Sequence, residues 1–315
     1  MIGWLLFATA AVVVGFVLLS PLESLRWWTD RGQREVRATF ALDAVPAGSS
    51  SSTAYLCYLS GVGTLGGDCL SKREQRWLDS LRAALPEVQV IGDVFPYAVD
   101  NRGLLQRATM WWWARLERMR RSRWPGLLPL LINLRNISKV LVSADPRYGP
   151  AMNIGLAQEI WRALRRHGYA PGSPVPVYLV GLSGGAQMAL GASTYLSALG
   201  ATTSVISIGG IFSDDPGLDR IQHLWQLNGA ADRMRHLGNI AFPGRWPIAP
   251  LSAWGKAQRE GRVTSRTIGP MGHDGAGGYL GHRAFDEDGR SYAELTEAAV
   301  VGIVTAGAGT ARPDK

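Results

Sequence analysis

A serine stands between glycines at the junction of two apolar segments of the chain. The string is Gly181-Leu182-Ser183-Gly184-Gly185, which fits the pattern G-x-S-x-G, with VPVYLVGL leading into Ser183 and AQMALGASTYLSAL after the last glycine. A strand, a sharp turn and a helix in this order expose a serine hydroxyl at the top of a sheet, and glycines beside it leave room for the neighbouring elements. The string alone is weak in a chain with 38 glycines, so its setting favours Ser183 as a nucleophile over a plain strand-to-helix turn.

Two later segments supply the groups that such a serine needs. A serine hydroxyl reacts readily only when an imidazole takes its proton and a carboxylate orients that imidazole. LWQLNGAAD ends at Asp232 and IGPMGHDG contains His273, and each group follows a predicted strand. Alternatives remain at His282, nine residues beyond His273, and at Asp214 and Asp215 after TTSVISIGG.

From about Thr53 to its last helix, the chain resembles the α/β-hydrolase superfamily, in which serine, acid and histidine occur in that order. The resemblance implies that Ser183 is the nucleophile, Asp232 the acid and His273 the base. We expect catalysis through an acyl-enzyme on a carboxylic ester or thioester.

The resemblance further implies an oxyanion hole made of two backbone amides. Gly184, which follows the nucleophile, supplies one of them. The second comes from the loop after the first strand, at Gly61 or Val62. Ser60-Gly61 stands where family members commonly have His-Gly, which leaves the second donor open.

The elements around these motifs alternate between strands and helices. This alternation predicts an α/β fold with a mostly parallel sheet and helices on both faces. The predicted strands are Thr53–Ser60, Val88–Phe95, Lys139–Ser143, Val175–Leu182, Thr203–Gly209, Ile221–Leu227 and Arg262–Ile268. One predicted helix begins at the capping pattern of Ser71 and Glu74. Three further predicted helices cover Gly155–His167, Gly185–Leu199 and Tyr292 to about Thr305.

A dinucleotide-binding enzyme is the main competing interpretation. Gly61, Gly63 and Gly66 fit G-x-G-x-x-G after a strand, and Asp93 ends the next strand. An NAD(P) site needs a helix that begins at the glycines, whereas the capping pattern starts the helix at Ser71. A third interpretation is a non-catalytic membrane scaffold, which has no need to retain a serine, an acid and a histidine in order.

The first part of the chain predicts an uncleaved membrane anchor. The alternative is a cleaved signal peptide, which would have a basic stretch ahead of a shorter apolar core, whereas only Met1 precedes Ile2. No charged residue occurs from Ile2 to Leu22. A helix needs about 20 residues to cross a bilayer, and this run is long enough. Arginines follow the run and none precedes it, which places the catalytic domain in the cytoplasm by the positive-inside rule. We therefore expect an anchor and basic linker over residues 1–37, one hydrolase domain over 38–310 and a loose tail over 311–315.

An insertion rich in tryptophan and arginine interrupts the domain at about 101–136. Residues 111–134 suit a lid, a membrane-docking arm or an excursion packed onto the core. As a lid near Ser183, this segment predicts a lipophilic substrate.

Composition separates the partner classes further. The chain carries 33 basic and 25 acidic residues, a net charge of +8, which suits nucleic acid or an anionic membrane. The clusters Arg26–Arg37 and Arg115–Arg123 lie beside apolar or tryptophan-rich runs, so membrane lipid is the expected partner and nucleic acid is not. Cys57 and Cys69 lack metal-ligand spacing and are expected to be reduced thiols; no metal or organic cofactor is implied.

Overall fold

The computed structural model describes residues 52–62, 70–97 and 127–310, with a few single positions between residues 3 and 15. Side chains within the last range are described from residue 133 to residue 307. The run Ile2–Leu22 lies almost entirely outside these residues, as do Gly63, Gly66, Cys69 and the insertion as far as residue 126. Within the described part, no helix combines the length and apolarity that crossing a bilayer requires.

Six strands form a single sheet in which every neighbouring pair is parallel. The strand order across the sheet is β2-β1-β3-β4-β5-β6. The strands are β1 (Ala54–Leu59), β2 (Val88–Ile91), β3 (Val177–Leu182), β4 (Thr203–Ile208), β5 (Leu224–Gly229) and β6 (Val263–Gly269). The parallel α/β arrangement agrees with the sequence prediction.

Helices cover both faces of this sheet, because successive strand side chains point to opposite sides. Cys57 and Leu59 face one apolar core, while Leu56 and Tyr58 face the other. The helices are α1 (Lys72–Ala84), α2 (Leu127–Ala144), α3 (Gly149–Arg166), α4 (Gly185–Ala198), α5 (Arg235–Ala241), α6 (Ala253–Arg259) and α7 (Tyr292–Thr310). Residues of α2, α3, α4 and α6 pack in the first core, and residues of α1 and α7 pack in the second.

The predicted strand Lys139–Ser143 is wrong, because these residues belong to helix α2. Their buried positions follow a helical rather than an alternating period: Asn136, Lys139, Val140 and Ser143 are buried. Residues three and four apart lie on the same side of a helix. The short apolar run KVLVS is therefore the inward side of a longer helix.

The topology brings the sequence motifs to one edge of the sheet. Ser60, Ser183, Asp232 and His273 all come after the carboxyl ends of strands, namely β1, β3, β5 and β6. Carboxyl ends of parallel strands share an edge, and side chains from different strands can meet there.

Close packing at the start of α4 generates a stability prediction. A methyl group on Gly185 would lie 2.3 Å from the Leu59 carbonyl oxygen, whereas one on Gly302 in α7 would meet no atom within 4 Å. Gly185→Ala should lower the free energy of unfolding by about 1–3 kcal/mol because the backbone must shift. Gly302→Ala should raise it by up to about 1 kcal/mol because alanine favours helix. Urea unfolding of both variants checks this, and equal effects would contradict the packing described.

Candidate active site

The backbone at Ser183 has a conformation that side-chain-bearing residues rarely adopt. Its φ is 52°, and no other non-glycine residue in the described part of the chain has a positive φ. The Ser183 amide donates to the Ile208 carbonyl of β4 at 2.9 Å, and the Ser183 carbonyl accepts from the Ala186 amide at 3.1 Å. These bonds hold the residue in the turn between β3 and α4, as expected for a serine presented at a sheet edge.

The two flanking glycines permit this turn to pack tightly. A methyl group on Gly181 would lie 2.4 Å from the Ala186 amide nitrogen, and one on Gly185 would press on β1 at Leu59. Both distances are far below van der Waals contact. Glycine is therefore needed at both positions, because a side chain would clash with neighbouring backbone atoms.

A chain of hydrogen bonds joins the three side chains singled out in the sequence. Ser183 Oγ lies 2.8 Å from His273 Nε2, and His273 Nδ1 lies 3.1 and 3.0 Å from the two carboxylate oxygens of Asp232. An Nδ1–H that donates to Asp232 leaves Nε2 free to accept from the serine hydroxyl. The arrangement can remove a proton from Ser183 and stabilise the imidazolium that results.

The Asp232 carboxylate is buried and has two further donors. The Tyr279 hydroxyl donates to Asp232 Oδ2 at 2.7 Å, and the Met234 amide donates to Oδ1 at 2.9 Å. The Tyr279 hydroxyl in turn accepts from the Gly229 amide at 2.7 Å. Burial alone would raise the pKa of Asp232, but the hydrogen bonds from His273, Tyr279 and Met234 together outweigh it and lower that pKa. Asp232 is therefore held as a carboxylate.

The alternative acids, Asp214 and Asp215, and the alternative base, His282, have neighbours other than Ser183 and His273. Asp215 accepts from Gln187 Nε2 and from the Gly217 amide, both at 2.8 Å, and its burial raises its pKa to about 6. Asp214 packs against Gly244. His282 lies near enough to Glu294 to interact with it electrostatically. The hydrogen-bonded partner of Ser183 is His273.

The amides expected to form an oxyanion hole lie beside Ser183. A methyl group on Gly61 would lie 3.3 Å from Ser183 Cβ, and one on Gly184 would lie 3.0 Å from the Val62 side chain. Within the described part of the chain, the Gly184 and Val62 amides donate to no acceptor. These two amides are thus available to a developing negative charge near Ser183.

A cavity of about 650 Å³ opens at this place. Ser183 and His273 line it together with Gly61 and Val62. Leu182 and Leu280 add apolar wall, while Lys72, Arg73, Glu74 and Asn133 add polar and charged wall. A small organic molecule could reach the serine hydroxyl through this cavity.

Three residues at the site were not predicted from the sequence. Tyr279 bonds Asp232; Asn136 Nδ2 donates to the Val62 carbonyl at 2.9 Å and so holds the loop after β1. Tyr97 is buried, and its hydroxyl has no hydrogen-bond partner among the described residues and lies 3.2 Å from where a Gly184 methyl would stand. No motif marks these positions, because each acts through tertiary contact alone.

The predicted capping box is present at the start of α1. The Ser71 hydroxyl accepts from the Glu74 amide at 3.3 Å, and the Ser71 amide donates to the Glu74 carboxylate at 2.8 Å. The Glu74 carboxylate thus lies at this helix N-terminus, where its negative charge would oppose the binding of a dinucleotide pyrophosphate. Among the described residues, no three His, Cys, Asp or Glu side chains cluster as a metal site would require.

No family model matches the chain, and no curated protein matches it. Among solved structures, the chain is similar to a dienelactone hydrolase-like promiscuous phosphotriesterase from metagenomic libraries. The identity is 11%, the TM-score is 0.43, and the match covers 82% of this chain and 88% of that one. A likeness this distant carries no weight for function.

The hydrogen bonds at Asp232 generate a pH-dependent prediction. A carboxyl whose pKa is lowered by folding stabilises the fold above its unfolded pKa, and this stabilisation is lost as pH falls through the folded pKa. Tyr279→Phe removes one cause of the lowering and leaves the Gly229 amide unpaired. It should lower the free energy of unfolding by about 1–3 kcal/mol at pH 7, and by less as Asp232 becomes protonated in acid.

Urea unfolding from pH 7 downward measures this difference. Tyr292→Phe is the matched control, because the Tyr292 hydroxyl makes no hydrogen bond within the described residues. A Tyr279→Phe effect that stays constant as the pH falls would show that the hydroxyl does not support the ionised carboxylate.

Proposed function

We propose that this chain is a serine hydrolase that cleaves carboxylic esters or thioesters through an acyl-enzyme. The observation that carries the proposal is the hydrogen-bond chain from Ser183 through His273 to Asp232. The strained turn at Ser183 and the free amides of Gly184 and Val62 support it independently.

In the first half-reaction, Ser183 Oγ attacks the ester carbonyl while His273 Nε2 takes its proton. The negative charge that develops on the carbonyl oxygen is stabilised by the amides of Gly184 and Val62. His273 then donates its proton to the leaving alcohol or thiol, and the acyl group remains on Ser183.

In the second half-reaction, His273 removes a proton from water, and the hydroxide attacks the acyl carbonyl. Collapse of this second intermediate returns the proton to Ser183 Oγ and releases the carboxylic acid. Asp232 stays ionised throughout, holds the imidazole in the required tautomer and stabilises its positive charge.

A lipophilic acyl group is the substrate feature that the cavity supports. Val62, Leu182 and Leu280 give the wall beside Ser183 an apolar side. The uncharged run Ile2–Leu22 would anchor the enzyme in a membrane, with its domain on the cytoplasmic side. Lipophilic esters concentrate in the membrane, so the anchor would keep the enzyme near them.

Hydrolysis of p-nitrophenyl esters by the full chain tests the assignment of the residues. Ser183→Ala and His273→Ala should each lower kcat/KM by about 10³-fold or more, and Asp232→Asn by about 10²-fold or more, since each removes part of one proton-transfer unit.

His282→Ala and Asp215→Asn are the matched controls for the base and the acid. Each should retain activity within a few-fold of the wild type, provided that circular dichroism shows an intact fold. Loss of activity in His282→Ala with retention in His273→Ala would reassign the base.

Acyl-chain length tests the substrate class separately. The octanoate should have a kcat/KM about tenfold above that of the acetate, because additional methylenes are buried against the apolar wall. A preference for acetate would remove the lipophilic part of the proposal and leave the hydrolase part intact.

A further inference from the structure

Exposed apolar side chains concentrate in one segment of the domain surface. Twelve large apolar residues in the described part of the chain are exposed, and six of them lie within residues 234–251. The exposed fractions of Ile240, Ile248 and Leu251 are 69%, 82% and 91%. The apolar patch consists of Met234, Leu237, Ile240, Trp246, Ile248 and Leu251. Such a concentration on a folded domain marks an interaction surface.

The local fold holds these side chains outward. Met234, Leu237 and Ile240 recur every three residues at and along α5, which places them on one side of the helix. The Trp246 indole donates to the Asn239 carbonyl at 2.7 Å and ties the following loop to that helix.

Arg245 anchors the same loop from inside. It is buried, its guanidinium lies 4.2 Å from the ring centroid of Phe212 and 4.3 Å from that of Trp254, and it donates to the Phe212 carbonyl. The exposed tips of Ile248 and Leu251 thus extend from a fixed base.

The charge of the segment indicates which partner fits the patch. Residues 233–259 contain Arg233, Arg235, Arg245, Lys256 and Arg259 and no aspartate or glutamate. Of these, Arg233, Lys256 and Arg259 are exposed, and Lys256 is paired with Asp219 at 2.9 Å. Separate apolar tips between exposed basic groups match the headgroup boundary of an anionic bilayer, where apolar groups insert and arginines meet lipid phosphates.

We propose that residues 234–251 dock on the surface of an anionic membrane. The docked segment adjoins the catalytic site, since α5 begins three residues after Asp232 and the Met234 amide donates to that carboxylate. The docking itself does not depend on the proposed chemistry, so a failure of ester hydrolysis would leave it standing.

Fluorescence quenching in vesicles tests the docking with the full chain. A Cys69→Ser background leaves the buried Cys57 as the remaining native thiol, and an environment-sensitive dye is attached at Ile248→Cys. In vesicles of phosphatidylcholine and phosphatidylglycerol, lipid carrying a doxyl group should quench this dye. The same dye at Phe285→Cys, an exposed site outside the patch, is the control.

Quenching at residue 248 should exceed quenching at residue 285 about threefold or more. It should fall in phosphatidylcholine vesicles and in high salt, because the basic groups lose their counter-charge or are screened. Arg233→Glu combined with Arg259→Glu should lower it likewise.

Three outcomes would overturn the proposal. Equal quenching at residues 248 and 285 would show no docking, and equal quenching in neutral and anionic vesicles would remove the requirement for anionic lipid. A dye response that grows with protein concentration without vesicles would make the patch a contact between protein molecules.

Discussion

The backbone of Ser183 is held at a φ of 52° by packing on both sides of the turn. Gly181 lies against α4, and Gly185 lies against the end of β1, with no room for a methyl group at either position. This packing presents the serine hydroxyl at the carboxyl edge of the sheet. The positions of His273 and Asp232 matter only because the hydroxyl is presented there.

The hydrogen-bond donors around the buried Asp232 carboxylate stabilise the second half of the site. A buried carboxylate without hydrogen bonds would take up a proton and lose the ability to orient a histidine. Tyr279 and the Met234 amide prevent this, and the Gly229 amide fixes the tyrosine hydroxyl in turn. The acid therefore depends on the end of β5 and on the loop that carries Tyr279, two parts of the chain far apart in sequence.

Much of this arrangement was predictable from the sequence because the relevant signals are local. The serine string, the capping box of Ser71 and Glu74 and the alternation of strands with helices each depend on residues close together in the chain. The order of serine, acid and histidine added the long-range link. The structure places Ser183, His273 and Asp232 in hydrogen-bond contact.

Two kinds of feature were not predictable from the sequence: residues that act through tertiary contacts, and the secondary structure of short apolar runs. Tyr279, Asn136 and Tyr97 contact Asp232, Val62 and Gly184, which lie 47 or more residues away in the chain, and no local pattern marks them. The run KVLVS is apolar over a few residues, a length at which strand and buried helix look alike. Only the continuation of α2 from Leu127 to Ala144 distinguishes them.

Peptide mass mapping after reaction with a fluorophosphonate tests the central claim most directly. The reagent forms a covalent bond with an activated serine oxygen whatever the natural substrate is. We expect one adduct, on the peptide that contains Ser183, and its loss in His273→Ala. An adduct on another serine, or an unchanged adduct on Ser183 in His273→Ala, would contradict the account.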